Sequence, residues 1–221
     1  MAHDAVVYIV DDDIDFLESL KSILEPAGFR VRIFASAQQL LDDFQAEPNS
    51  CIVADIRMPG IDGLELQRLL KEGHFNIPVV FISGYGDVAL AVKAIRQGAV
   101  DFIEKPINEG MLIESVNRAI QASRNSWERV NAEKRARALI STLSARENEV
   151  FLFLAQGMQN ADVSSRLNIS TRTVEVHRAN LYRKLEVKNL AALVRLALLA
   201  GVVSPTDMFE APTESPPTSA A

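Results

Sequence analysis

The sequence predicts two folds in succession. Residues 1–121 read as an α/β domain, a doubly wound five-stranded parallel sheet covered on both faces, and residues 143–203 as a small all-α domain. Three observations carry this reading. Short β-rich runs at 6–10, 31–34, 51–54, 79–82 and 102–103 alternate with longer amphipathic stretches, as a strand–helix–strand repeat requires. Five of the nine prolines punctuate the chain up to Pro106, none occurs from 107 to 204, and the last four crowd the tail. Charge divides the same way: residues 1–122 hold 19 Asp and Glu against 10 Lys and Arg, a balance of −9, whereas residues 123–203 hold 7 against 13, a balance of +6. An acidic module joined to a basic one suggests that the second meets an anion, with nucleic acid the leading candidate.

Composition is that of a globular chain, 48% hydrophobic and 24% charged, which excludes a fibrous or wholly disordered protein. No apolar run approaches the roughly 18 residues of a membrane span. Neither a basic region nor sufficient apolar length at the start matches a signal peptide. One cysteine, Cys51, agrees with a reducing compartment. A cytoplasmic protein with no membrane partner is expected.

From 111 to 156 there is neither glycine nor proline, so helix is expected to continue beyond the sheet domain. Residues 122–142 read as a helical linker. Two readings stay open for it: a short coiled coil between two chains, or a solvated basic spacer. A new helix is expected at Ser144, where Ser144 and Glu147 have the spacing of a capping box. The tail, 204–221, is expected to be disordered.

In an open parallel sheet, reacting groups collect beyond the carboxyl ends of the strands. The residues there are Asp11, Asp12 and Asp13 after the first strand, Asp55 after the third, Ser83 after the fourth and Lys105 after the fifth. Each has a plainer use taken singly: an aspartate caps a helix or holds a turn, and serine or lysine is commonplace at a strand end. Their convergence on one edge is what argues for a site. Clustered carboxylates with hard oxygen donors suit Mg²⁺. A metal beside a carboxylate and a lysine neutralises the charge that develops when a phosphoryl group moves onto an oxygen nucleophile.

The stretches IVDDD, VADIRMPGIDGLEL, FISGYGD and AVDFIEKP resemble a response-regulator receiver domain, over residues 5 to about 121. The resemblance implies a flavodoxin-like sheet in the order 2-1-3-4-5. It also implies Asp55 as phosphoacceptor, with Asp11, Asp12, Asp55 and the backbone carbonyl of Arg57 holding Mg²⁺. Lys105 would pair with the phosphoryl oxygens, Ser83 would close its hydroxyl onto them, and Phe102 would be the aromatic whose rotamer follows that closure. Thr is at least as usual at the position of Ser83, and Tyr as usual at that of Phe102. The Lys105–Pro106 bond is expected to be cis by the same resemblance.

In the second module, Ser170 reads as the N-cap of a helix whose inner face carries Val174, Leu181 and Leu185. Arg172, Val176, Ala179 and Arg183 fall opposite, with Glu175 and Asn180 at the margins. Two arginines flanking small residues can enter a major groove, where arginine reads guanine and an apolar side chain meets a thymine methyl. Thr171, Thr173 and Lys184 are better placed for phosphates. The plainer reading is the solvated face of a helical bundle. His177 is a packing or phosphate contact, since nothing nearby has metal-ligand spacing.

Context weighs against the plainer reading. Residues 143–203 resemble the LuxR-type helix-turn-helix of the NarL/FixJ subfamily, on Leu143, Arg146, Glu147, Glu149, Val150, Gly157, Asn160, Ile169, Ser170, Thr173, Val174, His177, Lys184, Leu185 and Val187. The run RTVEVHRAN is nearest to FixJ-like regulators. Ala161 departs from the pattern, where Lys is frequent and contacts phosphate. The last helix, 189–200, would be a dimer surface by this resemblance.

The two resemblances together imply a transcriptional regulator of a two-component system, phosphorylated by a histidine kinase. They further imply a homodimer on phosphorylation, promoter DNA as ligand, and RNA polymerase as a further partner. An aspartyl-phosphate phosphohydrolase is the alternative from the enzyme class. Such enzymes commonly carry a second aspartate where this chain has Arg57, and a hydrolase leaves the basic module unexplained. A switch whose helical module no longer binds DNA is the third reading.

Overall fold

The computed structural model describes residues 5–84 and 88–204. The chain divides into two compact units, Met1–Glu128 and Arg129–Ala221. In the first, five strands, β1 (Val6–Val10), β2 (Arg30–Phe34), β3 (Ser50–Asp55), β4 (Val79–Ser83) and β5 (Asp101–Glu104), form one sheet in the order β2-β1-β3-β4-β5. All four pairings are parallel, as predicted. Helices α1 (Ile14–Leu24), α2 (Ala37–Asp43), α3 (Gly63–Glu72), α4 (Val88–Arg96) and α5 (Glu109–Ile140) make the connections and close the fold.

Period-two alternation sends β1 side chains to opposite faces. Val6, Tyr8 and Val10 join Leu40 of α2, Leu70 of α3 and Ala94 of α4 in one core. Val7 and Ile9 join Leu17, Leu20 and Leu24 of α1 and Leu112, Val116 and Ala119 of α5 in the other. Leu17, Leu20 and Leu24 are at most 2% exposed, and burying each contributes about 1.5–3 kcal/mol. Two layers of helix thus hold β1, β3 and β4 rigidly enough for their carboxyl ends to act as a platform.

Helix α5 runs unbroken over 32 residues. Its first half packs on the sheet, and residues 122–140 of the stretch read as a helical linker belong to the same helix. Ser123 on α5 is buried and accepts a hydrogen bond from the Ser50 backbone N–H at 3.2 Å, so sheet contacts extend past residue 121.

The second unit carries α6 (Ala145–Ala155), α7 (Asn160–Leu167), α8 (Thr171–Lys184) and α9 (Leu190–Leu199). Ser144 and Glu147 form the expected capping box on α6. Asn168 ends α7 in the left-handed conformation, φ 51°, and Ser170 caps α8 by accepting from the Thr173 N–H. Three residues therefore separate the two helices, the spacing of a helix-turn-helix. Val150, Phe151, Leu154, Val163, Val174, Leu181 and Leu193, all at most 1% exposed, make the core beneath it. Of the predicted tail only Ser204 lies within the described residues.

Candidate phosphoacceptor pocket and nucleic-acid interface

The strand ends meet in a pocket of about 230 Å³ lined by Asp11, Asp12, Asp13, Asp55, Arg57, Ser83, Gly84 and Lys105. The three aspartates after β1 divide the work. Asp13 caps α1, accepting from the Phe16 N–H at 3.1 Å. Asp11, 2% exposed, turns inward and accepts from the Asp13 N–H at 2.8 Å. Asp12 is exposed at the rim. Helix capping is thus assigned to Asp13, and Asp12 lines the pocket.

Asp55 ends β3 at the middle of the sheet and is 7% exposed. One carboxylate oxygen, Oδ2, accepts from the Arg57 N–H at 2.7 Å, so it does hold the following turn. The other, Oδ1, lies 3.1 Å from the Lys105 ammonium, which also donates to Asp11 Oδ2 at 3.0 Å. Turn-holding and a place in the pocket are therefore two uses of one carboxylate.

Burial pushes the Asp11 carboxyl above its ordinary value, against the Asp13 N–H and Lys105, which favour the charged form. Burial also works against the charge on Lys105, but its bonds to the two carboxylates outweigh that and hold it above its ordinary value. The bond from Lys105 to Pro106 is cis. The Lys105 N–H donates to the Ser83 carbonyl at 2.8 Å, which ties β5 to β4 at the pocket, and Ser83 is 1% exposed. Phe102 does not line the pocket. It sits half-buried on β5, packed against the α2–α3–α4 core.

Among the described residues no three His, Cys, Asp or Glu side chains are gathered into a preformed metal cage. The pocket's donors are hard oxygens nonetheless, from Asp11, Asp12 and Asp55 with Arg57 beside them. That set fits Mg²⁺, which binds through one or two carboxylates and keeps several waters.

On α8, Val174 and Leu181 are buried, as is Leu185 at its C-cap, while Thr171, Arg172, Glu175, Val176, Ala179, Arg183 and Lys184 are exposed. Val176 is 56% exposed, well above what a packed valine shows. Thr173 and Asn180 are half-buried: Thr173 Oγ1 shares a hydrogen bond with Ser170 Oγ at 2.8 Å, and Asn180 Oδ1 accepts from Arg183 at 2.8 Å. Lys184 carries a use the periodicity does not show. Its ammonium lies 2.6 Å from Glu147 Oε2, joining the end of α8 to the cap of α6. Lys184 first, then the Ser144 N–H, pulls the Glu147 carboxyl down to about 2.

Two further residues escape sequence reasoning. Arg178 on α8 donates to the Tyr182 hydroxyl at 3.0 Å and reaches Asn160 Oδ1 of α7 at 3.4 Å, which fixes the angle between the two helices of the motif. On α1, the ring of Phe16 lies 3.8 Å from the Lys105 ammonium. The first is hinted at by the i, i+4 spacing of Arg178 and Tyr182. The second has no local signal.

A carboxylate and lysine pocket at the carboxyl ends of a parallel sheet, followed by a helix-turn-helix, defines the class of regulators in which a receiver precedes a DNA-binding domain. Comparison with known proteins agrees for each part: residues 7–117 match the response regulator receiver domain, and residues 141–197 match the bacterial regulatory proteins of the luxR family. The chain is 38% identical over 198 residues to the transcriptional regulatory protein FixJ of Bradyrhizobium diazoefficiens, covering 90% of this chain and 97% of the relative. It is 40% identical over 193 residues to the response regulator protein TmoT of Ectopseudomonas mendocina, covering 87% and 88%. The solved structure of response regulator StyR superposes with a TM-score of 0.76 at 36% identity, covering 87% of this chain and 98% of that one. The protein belongs to the DNA-binding response regulators of two-component systems, with a receiver domain and a LuxR-type helix-turn-helix.

Proposed function

We propose that Asp55 accepts a phosphoryl group from a partner histidine kinase, and that the modified protein dimerises and binds a two-fold promoter site. The observation that carries this reading is the Lys105 ammonium shared between Asp11 and Asp55 at 3.0 and 3.1 Å in a pocket open to solvent. A lysine so placed already faces the oxygens that a transferred phosphoryl group brings.

The Asp55 carboxylate attacks phosphorus, an O–P bond forms, and the P–N bond to the kinase imidazole breaks as the imidazole departs. Lys105 exchanges its contact with Asp55 for the phosphoryl oxygens. The Ser83 hydroxyl donates to the same group, and Phe102, opposite Phe81 two residues before Ser83 in the β4–β5 register, follows the closure. Asp11, Asp12, Asp55 and the Arg57 carbonyl would hold Mg²⁺, which supplies further charge neutralisation at the phosphoryl oxygens. The chain acts as catalyst only for this transfer to itself and for its own dephosphorylation, in which water takes the phosphoryl group and the Asp55 carboxylate is regenerated.

In the second module Arg172, Val176, Ala179, Asn180 and Arg183 read base edges, with Glu175 setting base preference at the margin. Thr171, Thr173 and Lys184 contact phosphates. No helix among the described residues is long and apolar enough to cross a membrane, in keeping with action in the cytoplasm, where RNA polymerase is the further partner.

Incubation with phosphoramidate and Mg²⁺ is expected to add one acid-stable, base-labile phosphoryl group and to turn a sedimenting monomer into a dimer. Asp55→Asn keeps the shape and removes the nucleophile, and substantial labelling of that variant overturns the assignment. A labelled monomer that gains DNA affinity overturns the dimer step alone.

A further inference from the structure

We propose that Phe16 is a positioning residue for Lys105: its ring face holds the ammonium at the pocket and so sets the rate of phosphoryl transfer to Asp55. The proposal rests on the reading of Asp55 as phosphoacceptor. An ammonium has three donors and no acceptor. Two are directed at Asp11 Oδ2 and Asp55 Oδ1, and Nζ lies 3.8 Å from the centroid of the Phe16 ring, within the range of attraction by a negative π face.

The ring is held in place by the same backbone that holds the acid. Asp11 Oδ1 accepts from the Asp13 N–H at 2.8 Å, and Asp13 Oδ1 in turn accepts from the Phe16 N–H at 3.1 Å. Lys105, Asp11, Asp13 and Phe16 therefore close a circuit that returns to Lys105 through the ring. Phe16 is half-buried against the α1–α5 core, so its χ angles are restrained by packing from below. Lys105, by contrast, is a long side chain about a quarter exposed, with rotamer freedom to lose. When Asp55 changes from a carboxylate to an acyl phosphate, the contact at Oδ1 is given up. The ring is unaffected by that exchange and keeps the ammonium at the mouth of the pocket while its partner changes.

The test compares phosphorylation by phosphoramidate and Mg²⁺, with no kinase present, across substitutions at residue 16. Phe16→Leu retains apolar packing and removes the π face, and is expected to slow labelling roughly twofold to fivefold, the size of a partly exposed cation–π contact. Phe16→Trp is expected to match or exceed the wild type, since indole is the strongest of the three rings. Replacing Phe16 by 4-fluoro- and then 3,4,5-trifluorophenylalanine drains the ring face at nearly constant shape, and the rate is expected to fall in that order. In the metal-free protein, the Lys105 ε-methylene proton resonances should show ring-current shielding that Phe16→Leu removes. A flat fluorine series, or shielding that survives Phe16→Leu, overturns the proposal and leaves Asp55 as acceptor. If the wild-type chain takes no label at all, both readings fall.

Discussion

Lys105 and Arg183 are both cations at proposed functional surfaces, but they are held in different ways. Lys105 follows β5, an edge strand of the sheet, and is about a quarter exposed, between two nearly buried carboxylates and over an aromatic ring. Arg183 stands exposed on α8, held by one amide, Asn180, from the preceding turn of its own helix. In the receiver pocket the contacts proposed to serve the chemistry also serve stability, because removing one charge leaves others buried and unpaired. On α8 the two are separated by face: Val174, Leu181 and Leu185 hold the helix, and the opposite stripe is available for readout. Charge inside a pocket is costly to alter, and charge on a helix surface is cheap to alter until DNA arrives.

The largest expected effect sharpens this contrast. Lys105→Met leaves the Asp11 and Asp55 carboxylates facing one another without their shared cation, and should destabilise the receiver by about 2–3 kcal/mol, at or below the lower end for a broken buried pair because Nζ is partly solvated. Arg183→Ala should stay within about 0.5 kcal/mol of the parent, as exposed substitutions do. Urea melts of the two variants check this. Equal stabilities would break the comparison, and would mean that solvent or protonation of Asp11 already compensates the pocket.

DNA binding reverses the ranking. If Arg172 and Arg183 lie in the groove, replacing either by alanine should cost about 1–3 kcal/mol and relax preference at one base pair of each half-site. Binding across an operator-variant series measures it. An even loss over all variants would move the arginines to the phosphates and leave specificity to Glu175, Val176, Ala179, Asn180 and DNA shape.

Much of both regions is legible in the sequence, for physical reasons that differ. The five strands are short apolar runs, and each appears within a residue or two of its predicted place. Asp11, Asp55, Ser83 and Lys105 lie at or just past strand ends, and a parallel sheet brings such positions to one edge whatever the intervening helices do. The faces of α8 follow from 100° per residue. What periodicity cannot state is which side chain from a distant element a residue meets. The ring of Phe16 over Lys105 and the pairing of Lys184 with Glu147, 37 residues earlier, depend on how helices lie against their neighbours. Asp55 shows the same limit from the other side: a turn-holding carboxylate and a pocket carboxylate look identical in sequence, and here one residue is both.

A smaller effect concerns a pair in the second unit that resembles the pocket, Lys184 and Glu147. Glu147 is held down to about 2 from an ordinary 4.5, so its contribution to stability is complete above pH 4.5 and is lost as the pH falls from there towards 2. Thermal melts of the second unit's helices between pH 6 and 2.5 should show the parent losing more stability than Glu147→Gln over that window. Parallel curves would show that the pair is replaced by equivalent contacts in the unfolded chain.

The smallest effect concerns Lys184 on DNA. An unpaired lysine at a phosphate lowers the salt slope of binding by about one unit when removed, and weakens all sequences alike. Here Glu147 lies 2.6 Å away and shares the charge, so Lys184→Ala should weaken all operator variants evenly but lower the slope by less than that unit. Binding at several salt concentrations distinguishes the outcomes. A full unit would mean that the lysine leaves Glu147 when DNA arrives, making it an exposed surface charge like Arg183. An unchanged slope, with Glu147→Gln equally silent, would confine Lys184 to holding the end of α8 against α6. The recognition module would then contain its own small version of the receiver's arrangement, a charge pair whose purpose is position.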